Sequence, residues 1–383
     1  MRIAIFTNNY LPNPFGVSTS IEAFRTDFEK LGHSVYVFAP QMAGYADQNP
    51  NVFRYPSFDF KYKISFPLAI PFSRKIDKIL DKLEIDIIHS QHPNLLGDAA
   101  KKWAKKKNVP LVFTWHTLYD QYTHFASPFI PRKLAAWWTI GNAVSYANRS
   151  DFVVTPTSSV EKIIRGWGVN NGNISSIPTG VDTEKFDKAD KDIVRKKYGI
   201  ADDKTVLTIV SRFTEEKNIK FLFEAVSSVL RKRKDVVFLA KGNGNLLSEM
   251  GAYVSNEGLG GKVVFASEDD RKEDVFAAGD IFVYASKSET QGMVISEALY
   301  TGLPIVAVSA TGVSDQVMDG ASGFLVSENQ EEFSKALEKL IDDKDLRAKF
   351  SENAKKIARE NYTSSICAER MLKVYENLIS RKK

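Results

Sequence analysis

A single cysteine, Cys367, occurs in the 383 residues. No disulfide can form within the chain, so buried apolar surface has to hold it together. No uncharged apolar run approaches the roughly 20 residues that a membrane-spanning helix needs. Met1 and Arg2 pass straight into the apolar residues 3–6, a run too short for a secretory signal. The expectation is a cytoplasmic protein, neither exported nor membrane-spanning. Histidine is scarce, and all five (33, 89, 92, 116 and 124) lie in the first half. Zinc-finger and helix-turn-helix signatures are missing, and no nucleic-acid partner is expected. Short repeats and low-complexity tracts are absent.

What remains is the make-up of an ordinary folded protein, 43% apolar and 26% charged, long enough for two domains. Its charge is uneven. Residues 1–178 hold 20 Lys and Arg against 13 Asp and Glu, a net of +7, and the rest holds 32 against 34, a net of −2. A basic half beside a near-neutral half suits an anionic partner on one side, although drift in surface composition gives the same count.

Short β-branched apolar runs alternate with helical patterns along the whole chain. Strands are expected at residues 2–6, 34–38, 86–90, 110–114, 151–155 and 174–177, and again at 205–211, 236–240, 263–265, 281–285 and 304–308. Helices are expected at 20–31, 74–83, 95–107, 134–148 and 159–167, then at 219–231, 246–257, 274–278, 292–301 and 331–340. A last helical pattern runs over 345–379 and is broken near 361–363. Continuous apolar strands are buried on both faces, so the sheets should be parallel with helices on both sides. The pattern is α/β: two doubly wound domains, residues 1–177 and 178–362, facing a central cleft. The helix of about 363–383 is free to pack back on the first domain. In such sheets ligands sit at the carboxyl ends of the strands.

The most informative stretch lies at one such end, residues 288–298. A strand closes near Ala285, a polar loop carries Glu289, and a helix begins around Gly292 with Glu297 inside it. A helix N-terminus suits a phosphate, and two carboxylates suit sugar or ribose hydroxyls. Taken alone, the same residues describe a capped helix with a solvated glutamate. Arg212 and Lys217 follow the first strand of the second half, where two cations can clamp a diphosphate or pair with Glu215 and Glu216. The loop 8–20, with Gly16 in it, allows close backbone approach to a phosphate. His116, in Thr114-Trp115-His116-Thr117, is the histidine best placed to face the cleft, with His89 and His92 as a polar wall. Gly242-Asn243-Gly244 starts like a dinucleotide fingerprint. Leu247 stands where its third glycine belongs, however, so it reads as a tight βα turn.

Together these residues resemble the retaining glycosyltransferases of family 4, which have the GT-B fold of two Rossmann-like domains. The resemblance rests on Glu289 and Glu297 with seven residues between them, the Arg212/Lys217 pair, the Gly16 loop and the hinge 177–182. It implies that Glu289 binds donor-sugar hydroxyls and Glu297 the nucleotide ribose. Arg212 and Lys217 would hold the diphosphate with the backbone at Gly16, Val17, Gly292, Met293 and Val294, and Thr290 and Gln291 would complete the donor site. His116, by the same resemblance, lines the sugar site near the anomeric centre. Catalysis would fall to His116, Glu289, Arg212 and Lys217. No cofactor or metal is implied, and the acidic pairs Asp190/Asp192 and Asp343/Asp345 do not read as metal ligands.

Three stretches, 15–20, 116–124 and 289–292, are similar to the bacterial diacylglycerol glucosyltransferases. They imply UDP-glucose as donor and a membrane lipid such as 1,2-diacylglycerol as acceptor, met at the cytoplasmic face. Residues 241–245 and 265–267 depart from the family pattern and leave the nucleotide open. Phosphatidylinositol, a glycan or a polyol stays open as acceptor, as do a sugar-nucleotide epimerase and a silent binding protein.

Two segments point to an anionic membrane surface. The uncharged run 64–72 leads into a helix with Ile76, Ile79, Leu80 and Leu83 on one face and Arg74, Lys75, Lys78 and Lys82 elsewhere. Residues 128–140 combine Phe129, Ile130, Trp137 and Trp138 with Arg132 and Lys133. Core-packed helices with solvated basic faces share this pattern.

Overall fold

The structure, a computed structural model, describes residues 1–13, 15–62, 64–119, 132–287 and 289–382. Ser288 and the stretch 120–131, with His124, Phe129 and Ile130, lie outside the described residues. Two compact units form: Met1–Gly180 with Ser364–Lys383, and Val181–Thr363.

The first unit runs β1 (Arg2–Phe6), α1 (Gly16–Lys30), β2 (Ser34–Pro40), β3 (Val52–Tyr55), β4 (Ser57–Tyr62), β5 (Ile64–Ala69) and α2 (Arg74–Lys82). It continues with β6 (Ile87–Ser90), α3 (Leu96–Lys107), β7 (Leu111–Thr114), α4 (Arg132–Asn148), β8 (Phe152–Thr155), α5 (Ser158–Gly166) and β9 (Ile174–Ser176). The second runs α6 (Thr183–Phe186), α7 (Lys191–Lys197), β10 (Thr205–Val210), α8 (Ile219–Lys232), β11 (Val236–Lys241), α9 (Leu247–Asn256), β12 (Val263–Ala266) and α10 (Lys272–Ala278). Then come β13 (Ile281–Tyr284), α11 (Met293–Thr301), β14 (Ile305–Val308), β15 (Gly323–Val326), α12 (Gln330–Asp342) and α13 (Lys344–Asn361). The last helix, α14 (Ser364–Lys382), belongs to the first unit.

Each unit is built on one parallel sheet, ordered β3-β2-β1-β6-β7-β8-β9 in the first and β12-β11-β10-β13-β14-β15 in the second. Both faces are covered, as the unbroken apolar strands require. In β1, Ala4 and Phe6 pack with Trp103 of α3 on one side. Ile3 and Ile5 pack with Phe28 of α1 and Met371 and Tyr375 of α14 on the other. In β13, Ile281 and Val283 join one core, and Phe282 and Tyr284 the other.

Several expectations change. Residues 52–55 and 323–326 form strands that the pattern alone does not reveal, because four residues are too few to establish a period. Within the uncharged run 64–72, Ile64–Ala69 is β5, paired antiparallel with β4, and beyond it Phe72 is exposed. The apolar face of α2 is also taken. Ile76 and Leu80 are buried in the unit's own core, with Ile79 and Leu83 packed beside them. Its solvent-facing side carries Arg74, Lys75, Lys78 and Lys82, with Asp81 exposed among them. On α4 the outcome is the opposite, since Leu134, Trp137 and Trp138 stay exposed. His89 is no part of a polar wall. It is buried, its ring nitrogens 2.6 Å from the hydroxyls of Tyr375 and Thr114, and it ties α14 to the sheet.

The turn at Gly242 is a packing device. A Cβ there would lie 1.7 Å from the carbonyl oxygen of Ser211. The backbones are that close because the Phe213 N–H donates to Asn243 O at 2.7 Å and the Leu246 N–H to Phe213 O at 2.9 Å. The loop carrying Arg212 is thus clamped against the next βα turn. Gly242→Ala should cost about 2–4 kcal/mol in urea unfolding. Gly251→Ala in α9, where a Cβ meets nothing within 4 Å, should be neutral or stabilise by up to about 1 kcal/mol. Equal effects of the two changes would refute the clamp.

Candidate functional site

In the second unit, the expected residues gather beyond the carboxyl ends of β10 and β13. Glu289 sits in the loop between β13 and α11 and is only 9% exposed. Its Oε1 accepts two hydrogen bonds, each 2.5 Å long, from Lys217 Nζ and from the Tyr284 hydroxyl. Burial alone would push this carboxyl up. The Lys217 charge and the hydrogen bonds from Lys217 and Tyr284 outweigh it, and the group lies below the usual glutamate range. The Tyr284 phenol is driven well above its ordinary value by burial and by the facing carboxylate, so it stays a donor. The result is an ionised carboxylate largely shielded from water, suited to accept hydrogen bonds from hydroxyl groups.

The loop around it is rigid for identifiable reasons. Gly312 has φ +76° and lies so close that a Cβ would be 2.8 Å from the Glu289 carbonyl oxygen. The buried Gln316 amide donates to the carbonyls of Gln291 and Gly312, and the Ser296 hydroxyl donates to its oxygen. Gln291 is therefore built into the loop, with its side chain buried; Thr290 beside it is partly exposed. Gly292, at φ +76°, precedes α11, whose N-terminus has no side-chain cap and no acidic residue in its first turn. The start of that helix, with Met293 and Val294 partly exposed, offers backbone donors and partial positive charge to an anion.

Arg212 and Lys217 do not act as a symmetrical pair here. Lys217 is partly buried and paired with Glu289, whereas Arg212 is half-exposed and 3.1 Å from Glu216. Glu297 faces inward from α11. Its Oε1 accepts from Lys272 Nζ, and its Oε2 is buried with no partner among the described residues. Burial outweighs Lys272 there and pushes the Glu297 carboxyl up. Tyr284, Lys272 and Gln316 are contacts that pattern reading missed. Tyr284 hides at the end of an apolar strand, and the others come from distant elements.

In the first unit, Gly16 and Val17 open α1, which likewise lacks a side-chain cap and has no acid in its first turn. Gly16 is exposed, and Val17 packs partly into the core. Behind them the Asn8 backbone N–H donates to His92 Nδ1 at 3.1 Å. His116, just past β7, lies 2.7 Å from the oxygen of the buried Gln91 amide through Nε2. That oxygen accepts, so Nε2 carries the hydrogen and Nδ1 the lone pair. Burial, helped by His92 and His89, pulls His116 down to about 3, and it is neutral near pH 7. Asp190 and Asp343 cap α7 and α13.

The family model described as glycosyl transferases group 1 matches residues 190–357, and that described as glycosyltransferase family 4 matches residues 15–185. An alpha-monoglucosyldiacylglycerol synthase of Streptococcus pneumoniae is 29% identical over 94% of this chain and 83% of its own length. A D-inositol 3-phosphate glycosyltransferase of Stackebrandtia nassauensis is 32% identical over 78% of this chain and 69% of its own. The crystal structure of Anabaena HepE in complex with UDP and glucose superposes with a TM-score of 0.78, at 19% identity, over 99% of this chain and all of that one. Two Rossmann-like parallel sheets and these matches lead to one conclusion: the chain belongs to the family 4 glycosyltransferases and is a glycosyltransferase of the GT-B fold.

Proposed function

We propose that the enzyme transfers glucose from UDP-glucose to a membrane lipid, 1,2-diacylglycerol, with retention of anomeric configuration and without a metal ion. The observation that carries the donor half is the buried, ionised Glu289 beside an uncapped helix start. Glu289 accepts from sugar hydroxyls, and the orphaned oxygen of Glu297 suits a ribose hydroxyl. Lys217 has three donor hydrogens, so it can keep Glu289 with one and offer another to a phosphate oxygen. Arg212 and the N-terminus of α11 add the remaining charge for a diphosphate leaving group.

For the transfer itself, the donor's own phosphate oxygen takes the acceptor proton on the face from which the phosphate leaves, which retains configuration. In the first unit, neutral His116 keeps Nδ1 as an acceptor, held by the Gln91 contact at Nε2. Atoms balance without an enzyme nucleophile: the C1–O bond to phosphate breaks, the bond to the acceptor oxygen forms, and the proton ends on the nucleoside diphosphate.

The acceptor half rests on the diacylglycerol synthase among the relatives and on α4. Leu134, Trp137 and Trp138 are 53%, 70% and 63% exposed on the basic unit, beside Lys133. Among the described residues no helix is long and apolar enough to cross a membrane. Docking is therefore peripheral, through aromatic insertion and attraction of the solvent-facing lysines of α2 to anionic headgroups at the cytoplasmic face. A soluble polyol is the second reading, favoured by the inositol phosphate enzyme among the relatives.

Three measurements test these proposals. Glu289→Ala and Lys217→Ala should each lower turnover by about 10²-fold or more with the circular dichroism spectrum kept; near-normal turnover would move the site elsewhere. The product of an α-linked donor should be α by NMR, with EDTA without effect, and a β product or chelator-sensitive activity would overturn the proposed chemistry. Wild type should co-sediment with phosphatidylglycerol liposomes at low salt, less so at high salt, and Trp137→Ala/Trp138→Ala should weaken binding. No co-sedimentation, together with a polyol as the better acceptor, would replace the lipid.

A further inference from the structure

Tyr284 closes β13 at a position where packing asks only for an aromatic ring. It is 2% exposed, and its neighbours in the core include Phe276, Phe282 and Ile295. Its ring stacks on Phe282 at 5.9 Å between centroids. A phenylalanine would fill the same space without bringing a polar atom into an apolar core. Burying a hydroxyl costs free energy unless it is hydrogen-bonded; this one donates to Glu289 Oε1 at 2.5 Å and has the Ser286 and Ser211 hydroxyls beside it.

Lys217 Nζ binds that same oxygen, neither of these two donors uses Oε2, and the Ser286 hydroxyl is a further side-chain donor to the carboxylate. A carboxylate gripped at one oxygen from two directions, by a lysine on the β10 side and a tyrosine on β13, has a fixed side-chain orientation. The loop backbone is fixed independently by Gly312 and Gln316. Orientation settled before the sugar arrives does not have to be supplied by the sugar.

We propose that Tyr284 is a positioning residue of the donor site: its hydroxyl, acting with Lys217, holds Glu289 by Oε1 and leaves Oε2 to take the hydroxyl of the donor sugar. The proposal rests on Glu289 being the residue that receives the sugar.

The test is a double-mutant cycle with Tyr284→Phe, Glu289→Ala and the double variant, assayed for sugar transfer, with UDP affinity measured by calorimetry as a check that the nucleotide site is intact. Tyr284→Phe should lower kcat about tenfold, the worth of one hydrogen bond to a charged group. The donor KM should move less, and UDP affinity should stay within about threefold. In the Glu289→Ala background the same change should have almost no effect, because its target is gone. A tyrosine that only packs would give full activity in Tyr284→Phe, or a loss that multiplies with that of Glu289→Ala, and either result overturns the proposal. Loss of UDP binding in Tyr284→Phe would also overturn it, since the hydroxyl would then serve the fold. If Glu289→Ala alone keeps wild-type activity, the donor-site reading itself fails, which the cycle distinguishes.

Discussion

The contact between Lys217 and Glu289 is the interaction on which the rest of the second unit's site depends. A carboxylate with 9% exposure would, without partners, take up a proton and become a poor acceptor for several hydroxyls. Lys217 and Tyr284 reverse that outcome and hold the charge where water is largely excluded. Electrostatic interactions are stronger there than at the surface. The contrast with Glu297 shows how finely environment decides. It has one cation, Lys272, at one oxygen and nothing at the other among the described residues, and burial prevails.

Holding such a pair in place requires backbone order around it. The parallel sheet brings the ends of β10 and β13 side by side, since those strands pair directly. Lys217 follows one and Glu289 the other. Close approaches then remove freedom: Gly242 lets the Arg212 loop press on the next turn, and Gly312 lets a distant turn press on Glu289 itself. Gln316 satisfies loop carbonyls that would otherwise be buried without donors. The charged pair and the packing share these residues, so a glycine that carries no polar side chain still governs where the carboxylate sits.

Much of this was legible beforehand. Two parallel-sheet units, most elements and the Glu289, Glu297, Arg212 and Lys217 positions follow from apolar period and motif spacing. What escaped has physical causes. Tyr284 reads as one more apolar strand residue, and only the loop geometry five positions on gives its hydroxyl a purpose. Lys272 reaches Glu297 from another helix, which no local pattern encodes. The period of α2 establishes an apolar face but cannot say what covers it; the core does, with Ile76 and Leu80 inside. The same kind of period in α4 left Trp137 and Trp138 in solvent. His89 and His116 look alike in sequence, yet one is locked between Tyr375 and Thr114 and the other lies just past the carboxyl end of β7 beside Gln91.

The central claim is that Lys217 keeps Glu289 ionised. It is tested most directly by following the side-chain carboxyl in protein labelled with ¹³C-glutamate, the signal assigned by its loss in Glu289→Gln. Between about pH 3 and 8 the Glu289 resonance should report an ionised group down to below the ordinary glutamate value of about 4.3, and in Lys217→Met its titration should move upward. A resonance that titrates at or above the ordinary value in the wild type, or that ignores the loss of Lys217, would contradict the account.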